Sequence, residues 1–141
     1  MNIPEKTYSQ IVRHVPILCV DLLIKDESER YLLLKRKSEP LKNEYYLPGG
    51  RVFLGEKLED AARRKAREET GVIVSGKLVI AGIYEDFFSQ SSFGEHRYHT
   101  LSMVFRCSVK NDYGIVLNDQ SNDWKFSPDL PDRFNSKVKW L

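Results

Sequence analysis

The sequence predicts an α+β fold, a mixed β-sheet with helices packed on it. Three observations carry this: apolar, β-rich runs recur along the chain, one segment (Lys57–Thr70) has sustained helical character, and polar Gly- or Pro-bearing stretches separate them. At 141 residues the chain suits a single domain over residues 1–141, because domains most often run to ~100–150 residues. No internal repeat or low-complexity linker divides it.

The elements follow in order. Pro16–Lys25 is a nearly continuous apolar run, followed by the polar turn Asp26–Arg30 and a second run, Tyr31–Leu34, which together predict a two-stranded hairpin. Asp21 interrupts the first run, so it either meets solvent on an alternating strand or faces a polar site. Ser38–Glu44, with Pro40, reads as a loop, and Tyr45-Tyr46-Leu47 leads into the turn signal Pro48-Gly49-Gly50. Lys57–Thr70 is built of good helix formers and closed by Gly71, the residue expected just past a helix end. Strands follow at Lys77–Phe87 and His99–Val109, separated by a polar loop, Phe88–Tyr98. The tail from Asn111 is turn-rich, with a strand near Asp123–Phe126 and little regularity after Pro128.

Composition excludes several function classes. Lys and Arg number 22 against 20 Asp and Glu, a formal charge of +2, with 41% hydrophobic and 30% charged residues. That is an ordinary globular balance, neither disordered nor strongly basic. Arg63, Arg64, Lys65 and Arg67 cluster in sequence, but on a helix Arg63 and Arg67 take the outer face while Arg64 and Lys65 point elsewhere. No basic stripe forms, and nucleic acid is not an expected partner. Cys19 and Cys107 stand inside apolar runs without metal or redox spacing and read as reduced core thiols. No charged-then-apolar leader is present and no apolar run nears the ~20 residues of a membrane span. We therefore expect a cytoplasmic protein with no membrane partner.

The chemistry concentrates on the helix. On a wheel, Leu58, Ala61, Ala62 and Ala66 form an apolar stripe toward the sheet. Glu69 falls within that stripe, Lys65 projects beside it, and Glu68 flanks it. Charges that interrupt a core-facing stripe are costly unless they meet a partner or a metal. The competing reading is that Arg64–Glu68 and Lys65–Glu69 are i, i+4 ion pairs, worth only ~0.2–0.5 kcal/mol and in the less favourable, basic-first order. Just upstream, Gly49 and Gly50 allow close backbone approach, so their carbonyls could be aimed at an ion. Two adjacent carboxylates and a carbonyl are hard oxygen ligands suited to Mg²⁺, with Mn²⁺ as the alternative.

Gly50–Val72 resembles the Nudix hydrolase signature: Gly, five residues, Glu, seven residues, then Arg-Glu-apolar-any-Glu-Glu-any-Gly-apolar. Gly50, Glu56, Arg64, Lys65, Ala66, Glu68, Glu69, Gly71 and Val72 occupy the defined positions, and all but Lys65 match. The resemblance implies a Nudix fold, a mixed β-sheet sandwiched between α-helices, and metal-dependent hydrolysis of a nucleoside diphosphate linked to another group. Lys65 stands where the family usually has a metal-ligating Glu that often serves as base. The resemblance then implies a single-metal site of Gly49 carbonyl and Glu69, with Glu68 nearby and Glu56 paired to Arg64.

That departure is shared by the GDP-mannose mannosyl hydrolase branch. Tyr8–Asp21, Leu34-Lys35-Arg36, Leu47–Val52, Tyr84–Phe87 and His99 also resemble the branch, a likeness covering roughly Tyr8–Phe126. It implies attack of water on the sugar anomeric carbon with GDP leaving. Arg36 and Arg51 would hold the diphosphate, Asp21 would bind the sugar, Arg64 would orient the site, and Tyr8 would stack near the base. Gln120 would offer a carbonyl oxygen to the metal. A homodimer exchanging its N-terminal segments is also implied, with Met1–His14 touching the partner.

Two further positions depart from the branch: Ser121 replaces the histidine base, and Asp86 replaces another histidine. A hydroxyl without assistance is no base near neutral pH. Candidates for the proton acceptor are then His99, His96, Asp86, Glu85 and Asp119, although a lone histidine is more often a surface or core residue. Tyr45, Tyr46, Phe87, Phe88, Phe93 and Tyr98 could stack on a nucleobase but more often fill the core. Three readings follow: a hydrolase of a nucleotide sugar such as GDP-mannose, a pyrophosphohydrolase cleaving P–O–P in nucleotide sugars or nucleoside triphosphates, and a nucleotide sensor that has lost catalysis.

Overall fold

Ile17–Lys25 (β1) is the hub of the sheet, because nearly every side chain along it is buried. In the computed structural model, which describes residues 2–74, 76–109 and 114–141, it is preceded by helix α1 (Glu5–His14). After it come β2 (Tyr31–Arg36), β3 (Tyr45–Tyr46), β4 (Gly49–Arg51), α2 (Leu58–Thr70), β5 (Val79–Ser91), β6 (Gly94–Ser108), β7 (Ser121–Ser127), α3 (Asp132–Asn135) and β8 (Lys139–Trp140). The first residues of the turn-rich tail, 111–113, lie outside the described residues.

The sheet is mixed, in the order β3-β2-β1-β6-β5-β8, with β4 on β1 and β7 on β2. β1 runs parallel to β6 from Ile17↔Thr100 to Lys25↔Ser108. It meets β2 at Lys25↔Tyr31, and β4 pairs with it along Cys19–Asp21. The hairpin turn is fastened by buried Asp26, which accepts the N–H groups of Ser28 and Arg30 at 2.9 Å and binds the Arg30 guanidinium.

Strand alternation gives the sheet two packed faces. On one, Val20, Leu22, Ile24 and Phe105 meet the Ala61, Ala62 and Ala66 stripe of α2; the small residues let the helix lie close to the sheet. On the other, Leu23, Leu33, Tyr46, Ala81, Tyr84 and Val104 enclose Phe134 of α3. The expected α+β architecture with helices on both sides is what the chain adopts. Among the described residues no helix is long and apolar enough to cross a membrane.

Two local expectations are corrected, and one helix has no counterpart among the elements expected from the sequence. Phe88–Tyr98 is not a loop but mostly the long β5–β6 hairpin, held by cross-strand pairs such as Phe88↔Tyr98, whose rings stack at 5.8 Å. Polar residues between those aromatics disguised the strand period. The N-terminal segment forms α1, whose Tyr8, Ile11 and Val12 pack on Ile17, Cys19, Phe93 and Tyr98. Their i, i+3, i+4 spacing after Pro4 was the available signal. Beyond Pro128 the tail is regular, as α3 and β8, because Phe134 anchors it in the core.

Candidate active site

At the α2 end of β4 the chain passes under Glu69, whose carboxylate is buried and accepts the Gly49 N–H at 2.7 Å. A Cβ on Gly49 would lie 2.1 Å from Asp21 Oδ1 and 2.4 Å from the Val20 carbonyl, so only glycine fits this close approach. Burial pushes the Glu69 carboxyl up to about 7, against the opposing pull of the Lys65 charge and the Gly49 N–H. Lys65 Nζ stands 3.7 Å from Glu68 Oε2 and 3.8 Å from Glu69 Oε2. Glu68, further out, is substantially exposed.

Arg64 is committed to structure. Its guanidinium binds Glu56 at 2.7 and 2.9 Å, reaches Glu68 at 3.2 Å, donates to the Arg51 carbonyl at 3.0 Å, and lies 3.6 Å from the Phe53 ring centroid. The pair draws the Glu56 carboxyl below its ordinary range. Arg64 thus ties the segment after β4 to α2. Arg51 in turn lies between two rings, 5.2 Å from Tyr8 and 4.9 Å from Phe53. Phe53 was not anticipated; its signal was an aromatic two residues beyond an arginine on an extended segment.

These groups line one end of a cavity of about 650 Å³, to which Arg36 also contributes while its Nε donates to the Pro40 carbonyl at 2.7 Å. The floor of the cavity is different in kind. Asp21 is buried and faces this polar site, not solvent. Tyr84 donates its hydroxyl to Asp21, and Tyr46 donates to the Tyr84 hydroxyl at 3.3 Å. Burial pushes Asp21 up to about 6, opposed by hydrogen bonds from Tyr84 and Ser102. Burial and the Asp21 charge also raise Tyr84, keeping it a proton donor. Asp86 is 2% exposed and clamped by Arg133 at 2.9 Å and by Lys137.

Strand period decides which candidates reach the cavity. On β5 and β6, Tyr84, Asp86, Tyr98, Thr100 and Ser102 line it. Glu85, Phe87 and His99 project from the opposite face, where His99 bonds Glu85 at 2.8 Å and stacks on Phe87 at 4.3 Å. None of the three histidines lines the cavity: His14 bonds the Gln10 carbonyl, and His96 bonds Ser91 and the Arg97 carbonyl. Asp86 is inside, but its two cations hold it as a fixed part of the floor. Gln120 and Asp119 stand exposed at the mouth, whereas Ser121 is buried on β7 and does not line the cavity. Thr100, Ser102, Arg133 and Lys137 were missed, because only the register and the folded tail bring them here.

Among the described residues no three His, Cys, Asp or Glu side chains converge as a metal cluster. The donors that do meet are hard oxygens: buried Glu69 with a single N–H on it, Glu68 beside it, and the main chain at Gly49. They would suit one hard divalent cation such as Mg²⁺.

Comparison with known proteins gives the family and the fold. Residues 15–137 match the family model described as NUDIX domain. The low-salt glycan biosynthesis protein Agl8 of Haloferax volcanii is 38% identical over 129 residues, covering 90% of this chain and 81% of that protein. An ADP-ribose pyrophosphatase of Methanocaldococcus jannaschii is 39% identical over 94 residues, 67% of this chain but only 52% of that protein. The MutT protein of Methanosarcina mazei superposes with a TM-score of 0.71 at 25% identity, covering 87% and 91% of the two chains.

Proposed function

Because the chain belongs to the Nudix family, we propose that it is a Mg²⁺-dependent hydrolase of a nucleoside diphosphate sugar, with GDP-mannose as expected substrate, cleaving the sugar C–O bond. The observation that carries this is the division of one cavity into a cationic end with two carboxylates and a buried floor of carboxylates and hydroxyls. The first matches a metal-bound diphosphate. The second suits sugar hydroxyls, because buried Asp21, Tyr84, Thr100 and Ser102 line it with oxygen donors and acceptors. The likeness to a protein named for glycan biosynthesis supports a sugar-linked substrate.

In this reading Arg36 and Arg51 hold phosphate oxygens through planar forks of N–H donors, and Tyr8 orients Arg51 and borders the base. Glu69, the Gly49 carbonyl, Glu68 and Gln120 would hold the Mg²⁺, with Arg64 positioning Glu68 and the Arg51 segment. When bound, the ion neutralises charge on the diphosphate. Asp21 fixes the sugar, with Asp86 bracing the floor. Water oxygen bonds to the anomeric carbon, the bond from that carbon to the phosphate oxygen breaks, and its electron pair leaves with GDP. Asp119 takes the water proton: it lines the cavity and, among the described residues, is engaged in no hydrogen bond or ion pair.

Hydrolysis of GDP-mannose in ¹⁸O-labelled water tests this. GDP with labelled mannose is the expected result. GMP with mannose 1-phosphate overturns it in favour of P–O–P cleavage, the reading favoured by the adjacent Glu68 and Glu69 and by the ADP-ribose pyrophosphatase likeness. Binding without turnover across nucleotide sugars and nucleoside triphosphates overturns it in favour of a sensor.

A further inference from the structure

Lys65 is the residue the signature does not account for. Its side chain is nine-tenths buried and lines the cavity. The stem runs against the main chain of Gly50, where an added Cβ would lie 2.7 Å from Cε and 3.1 Å from Nζ. The stem is therefore packed against the main chain and sets the ammonium at the cavity wall. Its distances to Glu68 and Glu69, 3.7 and 3.8 Å, are ion-pair separations beyond hydrogen-bond range. Among the described residues it makes no hydrogen bond. The two carboxylates neutralise the ammonium without filling its N–H donors, which remain available to a group in the cavity. The arginines at 36 and 51 border the same space, so the anion it suits is a phosphate group.

We propose that Lys65 is a diphosphate-binding residue whose ammonium acts as a fixed cation between Glu68 and Glu69, where it takes the place of a second divalent ion. This deepens the proposed function and rests on a diphosphate occupying the cationic end, but not on the identity of the sugar or the bond cleaved. A second ion would need a further carboxylate there, and among the described residues no third His, Cys, Asp or Glu joins Glu68 and Glu69. The chain thus carries one of its phosphate-binding charges covalently. That charge cannot be removed by a chelator.

Inorganic pyrophosphate and Mn²⁺ are the probes, because they report on the cationic end whatever the sugar chemistry. Electron paramagnetic resonance should count a single bound Mn²⁺ per wild-type chain in the presence of pyrophosphate. Lys65→Met keeps the stem packed on Gly50 and removes the charge; calorimetry should show pyrophosphate binding weakened about 10- to 100-fold, as loss of a hydrogen bond to a charged group implies. Lys65→Glu adds a third carboxylate and should bind an additional Mn²⁺. Pyrophosphate affinity unchanged in folded Lys65→Met, or two or more ions in the wild type, overturns the proposal. Should GDP-mannose prove not to be hydrolysed while these results hold, the proposed substrate fails and the role of Lys65 stands.

Discussion

Replacing Glu69 by Gln should lower metal-dependent turnover by about 10²–10³-fold while the protein remains folded. The carboxylate is the best-placed hard ligand in the cavity, buried and held by the Gly49 N–H at 2.7 Å. Glutamine has the same shape, and its amide oxygen can accept that same bond, so the local structure need not change. What it cannot supply is the negative charge that binds a divalent cation. A loss of 10²–10³ corresponds to about 2.7–4 kcal/mol of transition-state stabilisation. Turnover measured against rising Mg²⁺, with circular dichroism of both proteins, checks this. Glu68→Gln is the informative contrast, since Glu68 is exposed and its loss should cost less. Full turnover by Glu69→Gln at ordinary Mg²⁺ would remove Glu69 from the metal site.

The signature helix was legible because its chemistry is local. Spacing along one helix placed Glu68, Glu69, Arg64 and Lys65 relative to one another, and the Gly49-Gly50 turn pointed to the backbone beneath them. The floor of the cavity was not legible in that way. Tyr84, Thr100 and Ser102 become neighbours of Asp21 only through the parallel β1–β6 register and the β5–β6 pairing. The same alternation carries His99 to the far face, although it immediately precedes Thr100. A resemblance at the level of a residue thus fixed its position in the strand but not the partners around it. Asp86 shows this most clearly, since its role depends on Arg133 and Lys137, 47 and 51 residues away in a tail that sequence periodicity left unassigned.

That tail carries the second large effect. Phe134→Ala should destabilise the fold by about 3–5 kcal/mol, the usual cost of truncating a buried aromatic side chain to alanine. Phe134 is fully buried and meets Tyr84 edge-on at 5.3 Å, Tyr46 at 5.9 Å and Trp140 at 6.1 Å. For a chain of this size the melting temperature should fall by about 10–15 °C. The substitution should also reach the site, because Phe134 supports Tyr84, which holds Asp21, and sits between Arg133 and Lys137, which hold Asp86. Well below its melting temperature the variant should show a raised KM for GDP-mannose with nearly unchanged affinity for pyrophosphate, since in the proposed function the loosened floor faces the sugar and not the phosphates. Asp86→Asn, which leaves the Phe134 packing intact, should reproduce the KM effect with a smaller loss of stability. A melting temperature within about 3 °C of wild type would show that the tail is peripheral, and equal weakening of pyrophosphate binding would show that the two ends of the cavity are not separate.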